Sequence, residues 1–237
     1  MRYFYITGTS SGIGFELANI ILKDENSFVV GYARRNNIEH KRYMHIKADF
    51  SSSIESRKVE IPFFENAEQV VLTNNAGILG DVNPVGEIDN EVLEATFVVN
   101  AITPAILSNR ILSIYKGRPV GITIVNISSG AARHAVESWA GYCASKAALD
   151  MFSLVLDAEQ NSSGNGKVKV LSIAPGVVDT AMQDEVRKVE KSRFPQAERF
   201  HKYKREGILS SASDVAKKIV ELIDNPPNDP IIDLRLI

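Results

Sequence analysis

The sequence of 237 residues predicts an α/β fold: a doubly wound parallel sheet of about seven strands with helices on both faces, in a single domain. Three observations predict it. Short runs rich in β-branched and aromatic residues recur along the chain, most are apolar at consecutive positions, and helical patterns fall between several of them. A strand covered on both faces needs such an unbroken apolar run, whereas a half-exposed antiparallel strand would alternate apolar with polar.

The first strand is expected at 3–7, where YFYIT opens the chain, and the second at 27–33, in SFVVGYA. Further strands are expected at 43–48, 69–73, 120–127, 167–173 and 231–234. Helices are expected at 12–24, 88–116, 140–161 and 213–224, the last opened by Ser211 and Asp214 as capping residues. Segment 34–42 is too short and polar for a full crossover helix. The charge-dense stretch 184–207 reads as a mobile flap or an exposed helical pair that shapes substrate access.

Composition bounds the function. A hydrophobic fraction of 44% and a charged fraction of 24% are those of an ordinary globular domain. Twenty-seven Lys and Arg against 29 Asp and Glu leave a net charge of −2, which offers no footprint for nucleic acid or an anionic membrane. Cys143 is the single cysteine, so no internal disulfide and no multi-thiolate metal site is expected, in keeping with a reducing cytoplasm. The opening MRYFYITG lacks the layout of a secretory signal. The longest apolar stretch, 92–115, is interrupted by Asn100, Asn109 and Arg110, so no membrane partner is expected. Pro226, Pro227 and Pro230 lie too near the C terminus to divide two domains.

The segment TGTSSGIG at 7–14 joins the first strand to the first helix, with Gly8, Gly12 and Gly14 as its fixed points. Glycine permits a tight turn and close backbone approach by a pyrophosphate, and the helix N-terminus supplies free N–H groups and positive dipole. The spacing is G-x-x-x-G-x-G, not the usual dinucleotide fingerprint, and a plain tight turn is the competing reading. Its place at the first strand-to-helix junction favours nucleotide binding. At the end of the second strand Arg34 and Arg35 follow Ala33, where an acid would hold the ribose of NAD. Guanidinium forks there suit a 2′-phosphate, so NADP is preferred; the competing reading is a solvated polar turn. Asp49 in IKADF could accept from the adenine amino group or cap the serine-rich turn that follows.

Tyr142 and Lys146 in YCASK stand four apart in a helical pattern, so they share a face. A second such pair, Tyr43 and Lys47, falls in an expected strand, where four residues span about 13 Å and cannot act on one atom. A lysine cation favours the phenolate and lowers the ordinary tyrosine pKa of about 10. Such a tyrosine could donate a proton to a carbonyl oxygen that a neighbouring hydroxyl holds in place. Ser129 is that hydroxyl candidate, at the ligand-binding end of the strand VGITIVNIS; a simple strand-ending turn is the alternative for Ser128 and Ser129. Cys143 points about 100° away from its neighbour on a helix and is expected to pack.

Taken in order, TGTSSGIG, Asp49, NNAG at 74–77, Asn100, NISS at 126–129, YCASK and PGVVDT at 175–180 resemble the short-chain dehydrogenase/reductase family, whose fold is Rossmann-like. Ser129 precedes Tyr142 by 13 residues, a spacing often met in that family. The resemblance implies a catalytic tetrad: Tyr142 as acid/base, Lys146 on the nicotinamide ribose, Ser129 on the carbonyl and Asn100 holding a relay water. It also implies that NADPH or NADP is held by Gly8, Ser10, Ser11, Gly12, Ile13, Gly14, Arg34, Asp49, Asn75, Ala76, Gly77, Tyr142, Lys146, Pro175, Gly176, Val178 and Thr180. Ser11 departs from the family's pattern, which has a basic residue in the loop. Within the family the chain is most similar to the sepiapterin reductase group and its bacterial relatives, through NNAGILGDV, Trp139 to Lys146, APGVVDTAMQ and the C-terminal IIDL. That similarity implies substrate contacts from Ser129, Tyr142, Trp139 and Asp233, the last gripping a pterin's amino-pyrimidine edge unless it is an ordinary solvated acid. The expected activity is an NADPH-dependent carbonyl reductase for a pterin side-chain diketone or an aromatic vicinal diketone. An NAD-dependent alcohol dehydrogenase and a non-catalytic dinucleotide sensor are the alternatives. A homodimer or homotetramer is expected from the same resemblance.

Overall fold

Seven parallel strands form one sheet in the computed structural model, which describes residues 1–162, 166–191 and 193–237. They are β1 (Arg2–Thr7), β2 (Ser27–Ala33), β3 (Tyr43–Lys47), β4 (Gln69–Asn74), β5 (Gly121–Ile127), β6 (Val168–Ala174) and β7 (Ile231–Asp233), and they lie in the order β3-β2-β1-β4-β5-β6-β7. The helices are α1 (Gly12–Ile21), α2 (Ser53–Lys58), α3 (Asn90–Phe97), α4 (Thr103–Ile114), α5 (Ala140–Ser162), α6 (Ala181–Lys188), α7 (Ala197–Arg205) and α8 (Ala212–Asp224). The order reverses between β1 and β4, which opens a crevice at the carboxyl ends of the strands.

The unbroken apolar runs do what a two-faced sheet requires. Phe4 and Ile6 of β1 pack with Leu17 and Ala18 of α1 and Val215 and Ile219 of α8. Tyr5 between them turns to the other layer, with Leu107 and Ile111 of α4 and Leu156 of α5. A buried amide layer crosses the centre: Asn74 of β4 faces Asn126 of β5 in register and donates to it at 2.8 Å, and Asn126 donates to Ser153 of α5 at 2.8 Å. The two asparagines lie at the carboxyl ends of β4 and β5 and fix the spacing of the turns that follow.

The structure departs from the sequence expectations in four places. The single helix expected over 88–116 is broken by a π-turn at Val98–Ile102 between α3 and α4. Pro104 has no N–H, so the Asn100 carbonyl lacks the donor that a continuous α-helix would give it. Read as too interrupted, the run Asn90–Ile114 is nonetheless long and apolar enough by length and composition to cross a membrane; 44% of its most apolar window is buried against this fold. The short α2, capped by Ser52 accepting from Ile54 N at 3.2 Å, is too brief for a periodic signal to reveal. The charged stretch 184–207, of which Ser192 lies outside the described residues, is the helical pair α6 and α7 beginning at Ala181. Its outer side is charged, but Val186, Phe194, Ala197 and Phe200 are buried on its inner side.

Candidate active site

A cavity of about 700 Å³ lies in the crevice at the carboxyl ends of the strands. Most of the residues singled out in the sequence line it, from Gly8 and Ser10 through Arg34, Asp49 and Asn75 to Ser129, Trp139, Tyr142, Lys146, Pro175, Gly176, Val178 and Thr180. Gly14, Asn100 and Asp233 are not among its lining residues.

The glycine loop is built on Asn75. Its Nδ2 donates to the carbonyls of Thr7 at 2.9 Å and Gly8 at 3.3 Å, while Thr7 Oγ1 accepts from the N–H groups of Asn75 and Ala76, both at 2.9 Å. Gly8 has φ of +76°, and a Cβ there would stand 2.8 Å from Asn75 Nδ2. A Cβ on Gly14 would fall on the same amide nitrogen and on the Gly8 carbonyl oxygen, so this glycine serves the packing of the loop and faces away from the cavity. Asn75 is thus the buttress of the loop. Helix α1 is preceded by Ser11 as N-cap, whose side chain makes no capping bond, and has no acidic residue in its first turn, which leaves its N–H groups and dipole for an anion.

Arg34 and Arg35 are exposed and line the β2 end of the cavity. The turn that carries them is tied to the glycine loop by Asn37 Nδ2, which donates to the Ser10 carbonyl at 2.7 Å. Asp49 accepts from Ser51 N at 3.1 Å, so the turn-capping role is real, and it also lines the cavity. That hydrogen bond, chiefly, and the nearby Arg34 guanidinium hold its carboxyl below the usual range. Tyr43 and Lys47 do lie on a strand, and Tyr43 serves structure: its hydroxyl pairs with Thr9 Oγ1 at 2.9 Å.

At the other end, Tyr142 and Lys146 sit one turn apart on α5, both buried. Lys146 is 4% exposed and donates to the Ile127 carbonyl at 2.7 Å, with its Nζ 5.9 Å from the Tyr142 ring centroid. Burial pulls its pKa down to about 8, partly opposed by the Asp150 carboxylate one turn further on. The lowering of Tyr142 expected from this lysine is not what the site shows. Burial dominates and raises the phenol, and the neighbouring Ser129 hydroxyl pulls the other way. Ser129 caps the short 3₁₀ turn Gly130–Ala132 by accepting from Ala131 N at 3.2 Å, as the turn reading expects, and it also lines the cavity. Ser128 Oγ is buried, lines the cavity and has no partner among the described residues.

Trp139 forms the wall between Tyr142 and the α6–α7 pair. It meets Tyr142 edge-on at 5.6 Å, stacks on Phe194 at 5.3 Å and touches Phe200 at 5.5 Å. Ser138 before it has φ of +65° and donates to the Arg193 carbonyl at 2.6 Å, which pins the α6–α7 connection to the start of α5. Lys204 Nζ pairs with Asp179 at 2.6 Å and ties α7 to the loop after β6.

Asp233 is a correction to the sequence reading. Its carboxylate is only 8% exposed, and both oxygens are taken by Arg235: Nε to Oδ1 at 2.8 Å and Nη2 to Oδ2 at 2.5 Å. Arg235, not Asp233, lines the cavity. The sequence reading also passed over Ser145, which accepts from Asn100, and Asp150, which accepts from Ser172 at 2.7 Å and pairs with Arg133 at 3.3 Å. Asp150 was accessible as the acid four residues after Lys146 on one helix face. Arg235, two residues from Asp233 at a strand end, carried no signal until the chain was folded.

These features fit a nicotinamide dinucleotide: an uncapped helix N-terminus, a glycine loop bared to the cavity, two arginines at one end, and an orphan Ser128 hydroxyl beside a buried Tyr–Lys pair at the other. Three comparisons with known proteins agree. The family model described as short chain dehydrogenase matches residues 2–191. A benzil reductase, (S)-benzoin forming, from Bacillus cereus is 31% identical over 242 residues, covering 94% of each chain. A sepiapterin reductase from Bos taurus is 31% identical over 243 residues, covering 93% of this chain and 88% of that protein. Among solved structures, the KRED1-Pglu enzyme superimposes with a TM-score of 0.83 at 26% identity, covering 98% of this chain and 100% of the other.

Proposed function

The chain belongs to the short-chain dehydrogenase family and is an oxidoreductase, and from that premise we propose that it is an NADPH-dependent carbonyl reductase acting on an aromatic vicinal diketone or a pterin side-chain diketone. The observation that carries the reading is that Ser129 and Tyr142 line the same cavity as Arg34 and Arg35, with the Lys146 ammonium buried beneath them.

When bound, the reduced nicotinamide supplies the hydride. Gly8, Ser10, Gly12, Ile13 and the start of α1 would hold its pyrophosphate, Arg34 and Arg35 its 2′-phosphate, and Lys146 its ribose. Ser129 positions the carbonyl oxygen. Tyr142, kept protonated at Oη by burial, donates its proton to that oxygen. The Lys146 cation then stabilises the phenolate left behind, across the 5.9 Å to the ring. Trp139, Phe200 and Tyr203 give the cavity an aromatic wall suited to an aryl or pterin group.

NADPH oxidation followed with benzil and with sepiapterin, in the wild type and in Tyr142→Phe, tests this function. Equal turnover by the two proteins would reject the assigned mechanism. We further propose a homodimer or homotetramer in the cytoplasm, with no nucleic-acid or membrane partner. The exposed apolar side chains of Ile102, Met151, Leu154 and Val155 and the near-balanced charge support that reading.

A further inference from the structure

The C-terminal segment brings a cation to the cavity that the proposed reaction does not use. Arg235 lies across two turns at the carboxyl ends of neighbouring strands. A Cβ on Gly176 would stand 3.1 Å from its Cγ, and a Cβ on Gly130 would stand 3.3 Å from its Nη2. The same point over Gly130 is 3.5 Å from His134 Cε1. The lack of a Cβ on Gly130, the residue after Ser129, therefore lets a guanidinium and an imidazole close on this turn, and both groups line the cavity.

The geometry of the guanidinium sets what it can bind. Asp233 takes Nε and one hydrogen of Nη2 in a side-on fork, which orients the plane. The Nη1 side keeps its N–H donors without partners among the described residues, and the side chain is 55% exposed. A positioned fork with donors to spare donates to an oxygen; it has nothing to offer an N–H edge. Asp233 in turn, with both oxygens engaged, has no free edge for an amidine-like group.

We infer that Arg235 is a substrate-binding residue that receives a second oxygen acceptor carried next to the reacting carbonyl, the second carbonyl of a vicinal diketone or the carboxylate of a 2-oxo acid. This rests on the carbonyl reductase reading and narrows it: an oxygen-bearing neighbour is favoured, and a pterin's amino-pyrimidine edge is disfavoured.

Benzil and deoxybenzoin test it, because they differ only in a C=O replaced by CH₂, and phenylglyoxylate adds the anionic case. In Arg235→Leu the ratio of kcat/KM for benzil over deoxybenzoin is expected to fall about 10- to 100-fold from its wild-type value. The corresponding ratio for phenylglyoxylate is expected to fall further, since its acceptor is charged. Sepiapterin is expected to gain relative to benzil, because Asp233 is released. Arg235→Gln, which keeps length and polarity, repeats the measurement should the leucine variant lose its NADPH binding or its melting transition. A benzil-to-deoxybenzoin ratio that moves less than about threefold in a folded variant overturns the inference alone. No NADPH oxidation by the wild type with any of these ketones overturns the reductase reading, and the inference with it.

Discussion

The side chain of Asn100 pairs with the backbone of Ile78 as one strand pairs with another: Oδ1 accepts from Ile78 N at 2.9 Å and Nδ2 donates to Ile78 O at 2.8 Å. The same Nδ2 reaches Ser145 Oγ at 3.1 Å, so both amide hydrogens are engaged and the side chain is fully buried. Asn100 therefore joins three parts of the site: the turn after β4, the π-turn and α5. The relay water implied by the family resemblance would meet amide hydrogens that are already engaged, beside a backbone carbonyl from which Pro104 removes the α-helical donor.

Asn100→Ala should accordingly act on stability as well as turnover. Three hydrogen bonds disappear and the Ile78 N–H and C=O are left unpaired, at a cost of about 2 to 4 kcal/mol. Urea denaturation midpoints measure it; an unchanged midpoint would contradict the buttressing role.

Lys146 sets a pH dependence whose sign follows from its environment. Its pKa is about 8 in the fold against 10.5 for a free side chain, so the charged form is penalised on folding. The penalty is complete below about pH 8, where both states are protonated, and fades as pH rises towards 10.5, where the unfolded chain binds more protons than the folded one. Lys146→Met removes it. The melting temperature of this variant minus that of the wild type should be larger at pH 7 than at pH 10.5, by the equivalent of roughly 2 to 3 kcal/mol. A difference independent of pH would show that the lysine is not desolvated.

Tyr142→Phe keeps the ring that packs edge-on against Trp139 and removes only the proton donor. kcat/KM is expected to fall about 10²- to 10⁴-fold, with the NADPH dissociation constant little changed. Stopped-flow turnover and fluorescence titration separate the two quantities.

Arg34→Ala should weaken NADPH binding about tenfold while NADH binding changes far less, because only the 2′-phosphate needs the fork. Parallel titrations with the two dinucleotides decide it. An equal loss for both would remove the phosphate-reading role.

Phe194→Ala probes the wall between the site and the α6–α7 pair. The ring is fully buried and stacked on Trp139, so truncation should cost about 3 to 5 kcal/mol. Trp139 is the single tryptophan, and its emission should shift to the red as water reaches it. An unshifted spectrum would show that the pair recloses over the gap.

The sequence by itself determined the sheet, because unbroken apolar runs such as FVVGYA and ITIVNI can be buried only between two helical layers. It also determined the glycine loop and the shared face of Tyr142 and Lys146, because these depend on neighbours a few residues apart. What it could not carry were relationships between residues distant in the chain. Burial, not the adjacent lysine, decides the protonation of Tyr142, since desolvation depends on everything packed around the phenol. The inner face of the α6–α7 pair reads as charge until Phe194 and Phe200 find Trp139, more than 50 residues earlier in the chain. Asp233 reads as a free carboxylate until the end of β7 turns Arg235 back onto it over Gly176 and Gly130. Local pattern fixes what a segment is, and only the folded chain fixes which charges meet and which stay in reach of a substrate.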